Sequence, residues 1–154
     1  MRAPVSSTVR WQETDILTLL KILLFGGATV ITPNPVDIGL QTIDIQVTEN
    51  IEAITSGASL YIDITREISS DSVFDALNEI DKKYPKGCVG AVLSGKNGDK
   101  VLLDTSSGAW SNELVELRLS SQKGVPTDMP FTSIKISSCN EIKSTVVKWR
   151  NYSK

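Results

Sequence analysis

Ser72–Lys83, SVFDALNEIDKK, is the stretch on which the fold turns, because here the apolar spacing changes from two residues to a helical period. Val73, Ala76, Leu77, Ile80 and Tyr84 stand at i, i+3, i+4, i+7 and i+11, one continuous face for a core. Ser72 with Asp75 three residues on is a variant of the capping box, the shorter Asp replacing Glu. An acid at the start and Lys82 and Lys83 at the end suit the helix dipole. Pro85 and Gly87 then stop the helix.

Outward from this helix, in both directions, the sequence reads as strands. Leu40–Glu49 (LQTIDIQVTE) places Ile43, Ile45 and Val47 on one face and Thr42, Asp44, Gln46 and Thr48 on the other. Ser59–Arg66 (SLYIDITR) repeats the pattern with Leu60, Ile62 and Ile64 inward, and the two are expected to pair as antiparallel neighbours. Beyond the helix, Cys88–Leu93 and Lys100–Asp104 flank Asn97-Gly98, the strongest short hairpin signal there is. Leu114–Leu119 alternates, Lys123–Pro130 is a Gly/Pro loop, and Phe131–Ser137 and Ser144–Tyr152 are the last two strands. In the final one Thr145, Val147 and Trp149 share a face. The reading is an α+β protein: a mainly antiparallel sheet or sandwich covered by one central helix, with an N-terminal apolar helix.

That second helix is expected within Ile16–Ile31 (ILTLLKILLFGGATVI), between Thr14 or Asp15 as N-cap and Gly26-Gly27 as stop. Ala28–Thr32 follows as a short β-rich run. The chain divides accordingly into residues 1–35, a polar arm with the apolar helix, and residues 36–154, the β-rich domain. Thr14, Thr18 and Lys21 form one narrow polar stripe, and Leu17, Leu20 and Leu24 with Ile16, Leu19 and Leu23 cover the rest. Such a helix needs partners on several sides, which a core and a second subunit supply, and which lipid supplies too. As a membrane span it is short: its residues rise about 24 Å against a hydrocarbon core of about 30 Å. Its apolar residues favour insertion by roughly −3 to −6 kcal/mol, while central Lys21 costs about +2.5 to +3.5. A buried or interface helix therefore leads, placing the protein in the cytoplasm or in an assembly. A single-pass anchor with an extracytoplasmic domain comes second. A cleaved signal fits worst, for Glu13 and Asp15 precede the run and Thr32-Pro33-Asn34-Pro35 follows it.

Composition narrows the chemistry. The 154 residues suffice for a core, and 40% hydrophobic with 22% charged residues is ordinary for a globular protein. Residues 1–35 carry three cations against two acids; of the chain's 16 cations and 18 acids, 13 and 16 remain for the body. A mildly acidic body is a poor match for phosphate, so nucleic acid is not expected as a partner. There is no histidine, and with it go the commonest general base and metal ligand. Cys88 and Cys139 are too few and too distant for a zinc cluster. They read as two buried thiols, or as a disulfide, which would require an oxidising compartment. Gly95-Lys96-Asn97-Gly98 lacks the spacing and ending of a phosphate loop, no Gly-x-Ser-x-Gly elbow occurs, and Asp63, Asp104 and Asp128 have no spacing that predicts proximity. No enzyme, cofactor, metal or small-molecule substrate is expected.

The aromatic residues point to contacts instead. Trp11 lies in the polar arm and Trp110 in a Ser/Gly loop, where Trp serves as an interface anchor. The expected interface is Trp11, Leu17, Leu20, Leu24 and Trp110. The arm, residues 1–13, cannot build a core and is expected to order only against a docking surface. The functional expectation is a non-enzymatic interaction or scaffold subunit of a larger assembly, binding other protein subunits, with membrane contact through Ile16–Ile31 as a further option. The alternative is a small acidic inhibitor or immunity-type protein that blocks one target.

Overall fold

The structure is a computed structural model and describes residues 28–110 and 114–151. Along the chain run β1 (Ala28–Val30), β2 (Val36–Ile38), β3 (Ile43–Ile51), β4 (Ser59–Asp63), a 3-10 turn (Thr65–Glu67), α1 (Val73–Lys83), β5 (Val89–Gly95), β6 (Lys100–Trp110), β7 (Val115–Ser120), β8 (Phe131–Ser138), β9 (Ile142–Thr145) and β10 (Val147–Arg150). Eight strands form one sheet in the order β1-β10-β4-β7-β6-β5-β8-β3, and β2 pairs with β9 in a second ladder. Every pairing among the described residues is antiparallel.

The sheet curls into a half-barrel. The curl follows from one contact. Trp149 of β10 and Phe131 of β8 lie five strand spacings apart in the order, about 24 Å in a flat sheet, yet their ring centroids are 6.1 Å apart. Both side chains are fully buried, with Leu60, Ile62, Leu93, Leu117, Leu119, Ile134 and Ile136 from the strands between and beside them. Burial alternates along β5 and β10 as period two requires, whereas β4 and β7 are buried at consecutive positions. Irregular registers help the sheet bend: β6 shifts against β7 between Thr105 and Ser107, and β3 against β8 between Gln46 and Ile51.

One margin of the sheet is folded over. β1 and β2 run beside β10 and β9 as a single ribbon broken at its middle by Pro33 and Pro35 on one side and by Ser144, at φ 50°, on the other. The break is bridged: the Val147 amide donates to Thr32 Oγ1 at 3.0 Å, and the Ser144 amide to Asp37 Oδ1 at 2.8 Å. The Ser138 amide then donates to the Gly39 carbonyl at 2.8 Å, joining the end of β2 to the end of β8.

Three sequence expectations change here. β3 and β4 are not neighbours: β3 pairs with β8, while β4 lies between β10 and β7. Alternation names the buried face of a strand but not the strand beside it. The N-terminal apolar helix is not supported. Residues 16–27, where that helix is expected, lie outside the described ones, while Ala28–Val30 is strand, hydrogen-bonded to β10, within the β-rich run expected at Ala28–Thr32. No helix among the described residues is long and apolar enough to cross a membrane. Finally, α1 does not bury the whole face read for it, since Val73 and Leu77 stay partly exposed.

Candidate functional site

α1 is held at both ends. At its start Ser72 is the N-cap, its Oγ accepting the Asp75 amide at 3.2 Å. The loop before it is tied to the third helical position of the second turn: the Glu79 carboxylate accepts from the Ser70 hydroxyl at 2.7 Å and from the Ser69 and Ser70 amides, each at 3.1 Å. The Ser70 hydroxyl first, and then the Ser69 amide, hold the Glu79 carboxyl down at about 2, against the opposing effect of desolvation. At the other end Lys83 Nζ donates to the Glu67 carbonyl, and Asn140 Nδ2 to the Lys83 carbonyl. Cys88 and Cys139, beside this end, are joined as a disulfide with Cα atoms 4.9 Å apart.

Between these ties the helix presses on the sheet through Ala76, Ile80 and Tyr84, all buried. Gly108 of β6 makes the approach possible, since a Cβ there would come within 2.9 Å of Ile80 Cδ1. Burial, with the nearby charges of Glu67 and Glu79, pushes the Tyr84 phenol up to about 12.

What the helix does not bury forms the candidate site. Val73 is 49% exposed, Leu77 38% and Phe74 73%. Leu77 stands four residues after Val73 and three after Phe74, so it joins the two in one apolar ridge on the first turns of α1. Asp71, Asp75 and Asp81 stand exposed around it. Helical spacing assigns Val73 and Leu77 to the core and leaves Phe74 out, although a large aromatic one step off the core-facing stripe is a signal in the sequence.

A second cluster lies on the sheet's outer face. Glu116 Oε1 accepts from Arg150 Nη2 at 3.0 Å, the Arg150 guanidinium stacks 4.4 Å over the Tyr61 ring, and Arg118 Nε donates to Ser59 Oγ at 3.1 Å. Glu116 Oε2 is buried and has no hydrogen-bond partner among the described residues. This network ties β4, β7 and β10 together, which is a structural task.

Trp11, Leu17, Leu20 and Leu24 lie outside the described residues. Trp110 ends β6 opposite Val115, and its side chain is outside the described set. The three aspartates considered as a carboxylate site are dispersed. Asp63 Oδ1 closes a turn by accepting from the Thr65 amide at 2.9 Å, Asp104 Oδ1 accepts from the Thr105 amide at 2.7 Å, and Asp128 borders a shallow hollow with Lys96 and Asp99. No group of three or more His, Cys, Asp or Glu suited to a metal ion occurs among the described residues. A larger hollow of about 560 Å³ lies beside β2, bordered by Ile38, Leu40, Ile43, Cys139 and Glu141. Comparison of the chain with protein-family models, with curated proteins and with solved structures finds no match.

Proposed function

We propose that this chain is a non-enzymatic protein-binding subunit that docks to another protein through α1. The observation that carries the reading is the ridge Val73–Phe74–Leu77, with Phe74 73% exposed on a helix whose two ends are both tied down. A helix face of this kind, presented by a rigid body, suits an apolar groove on a partner. Burying one phenyl ring and two aliphatic side chains supplies the apolar centre that interfaces need, and the surrounding acids form the polar rim. The Cys88–Cys139 bridge supports folding in an oxidising compartment.

The runner-up, a small inhibitor of immunity type, draws on the same three acids, which would steer the ridge into a basic site. A photoreactive phenylalanine analogue at position 74, irradiated in cells that make the protein, tests the reading. A discrete adduct of higher mass is expected, with none from the analogue at exposed Lys123. Absence of an adduct at 74 overturns the proposal, and a one-to-one adduct whose partner has lost its own activity moves it to the inhibitor.

A further inference from the structure

The surface around Phe74 has a definite chemistry. Phe74 and Asp81 are seven residues apart and so share one azimuth of α1, with Leu77 on one side and Asn78 and Asp75 on the other. Asp71 lies just before the helix, and all three acids are exposed. Lys82 is the one exposed cation of α1, and Lys83 is already turned to Glu79, at 3.6 Å. The ridge is thus an apolar strip in an acidic setting, and its natural cover is a segment in which apolar residues alternate with cations.

The chain itself contains such a segment. Residues 1–11 hold Arg2 and Arg10 with Val5, Val9 and Trp11 and no acid, whereas the body beyond residue 35 carries more acids than cations. The segment lies ahead of β1, and β1 is an edge strand of the sheet. Among the described residues the ridge stands open, and a second copy brings the same basic, apolar segment to it.

We infer that the α1 ridge receives the N-terminal arm of a second copy of this chain, with Trp11 set against Phe74 and Leu77 and Arg10 within the acidic setting that Asp75 and Asp81 make on either side. Reciprocal exchange of the two arms closes a twofold dimer, because each copy offers one arm and one ridge. This deepens the proposed reading by naming the partner and rests on the same ridge.

Sedimentation velocity on the full chain across a range of concentrations tests it. The expected result is a monomer–dimer equilibrium that weakens as salt is raised. Phe74→Asp should raise the dissociation constant at least tenfold with an unchanged far-UV circular dichroism spectrum. Arg10→Glu should weaken dimerisation about tenfold, and Asp75→Lys with Asp81→Lys in that background should restore most of the loss. Such a rescue reports on pairing and not on folding. A chain that stays monomeric at every concentration, or a dimer indifferent to Phe74→Asp and to the charge exchange, overturns the inference. A monomer that nevertheless cross-links through position 74 to a different protein overturns it while leaving the proposed function standing.

Discussion

Gly108 determines how closely α1 can lie on the sheet. Its Cα faces Ile80, and an added Cβ would sit 2.9 Å from Ile80 Cδ1 and 3.3 Å from Cγ2. The first clash is with the end of a side chain, so the helix can yield slightly but not freely. Gly108→Ala is expected to cost about 1–2 kcal/mol by overpacking. Ile80→Val in the same chain removes Cδ1 and should recover part of that loss, giving a coupling of opposite sign to the single effects. Urea unfolding of the four proteins of this cycle measures it. Additive effects would mean that the two residues do not press on one another.

At the scale of elements, α1 is fastened through its second turn. The Glu79 carboxyl titrates near 2 in the folded protein and near 4.5 when unfolded, so its depressed value favours folding above pH 4.5. That contribution fades as the pH falls through about 2, as the proton displaces the hydroxyl and amide donors of Ser70 and Ser69. Glu79→Gln should therefore unfold with a shallower dependence on pH between 4.5 and 2 than the parent chain, read from urea midpoints at a series of pH values. Parallel curves would remove Glu79 from this role. The helix, its Ser72 cap and the strand faces were legible in the sequence, because spacing alone reports which side of an element is apolar. The order of strands was not. β3 and β4 have the same alternation, but their partners depend on which loops cross the half-barrel. The same limit hid the site: whether Val73 and Leu77 are core or surface depends on how far the curled sheet reaches beneath the helix, and the Glu116–Arg150–Tyr61 cluster exists only because β7, β4 and β10 are side by side.

For the whole molecule the controlling quantity is the cost of bringing distant segments together. β1 pairs with β10 through Ala28 and Arg150, far apart in the sequence, and β2 with β9 likewise closes a long loop. Such pairings forfeit loop entropy before the core repays it. The disulfide acts on this term. Cys88 and Cys139 are 51 residues apart and continue the β5–β8 ladder by one step, for the Cys139 amide donates to the Cys88 carbonyl at 2.9 Å. Cross-linking a loop of this length removes about 4 kcal/mol of conformational entropy from the unfolded chain in the loop-closure account. It also fixes the region where Asn140 meets the last carbonyl of α1, so its loss should loosen the helix end as well. Cys88→Ser with Cys139→Ser is expected to lower unfolding stability by about 4 kcal/mol in urea. Hydrogen exchange on that variant should show the largest loss of protection at the amides of Ile80 to Tyr84 and Cys139, ahead of Trp149 and Phe131 in the core. A variant within about 1 kcal/mol of the parent chain would show that the unfolded state is already restrained there by other means, and uniform loss of protection would show that the bridge does not act on α1 in particular.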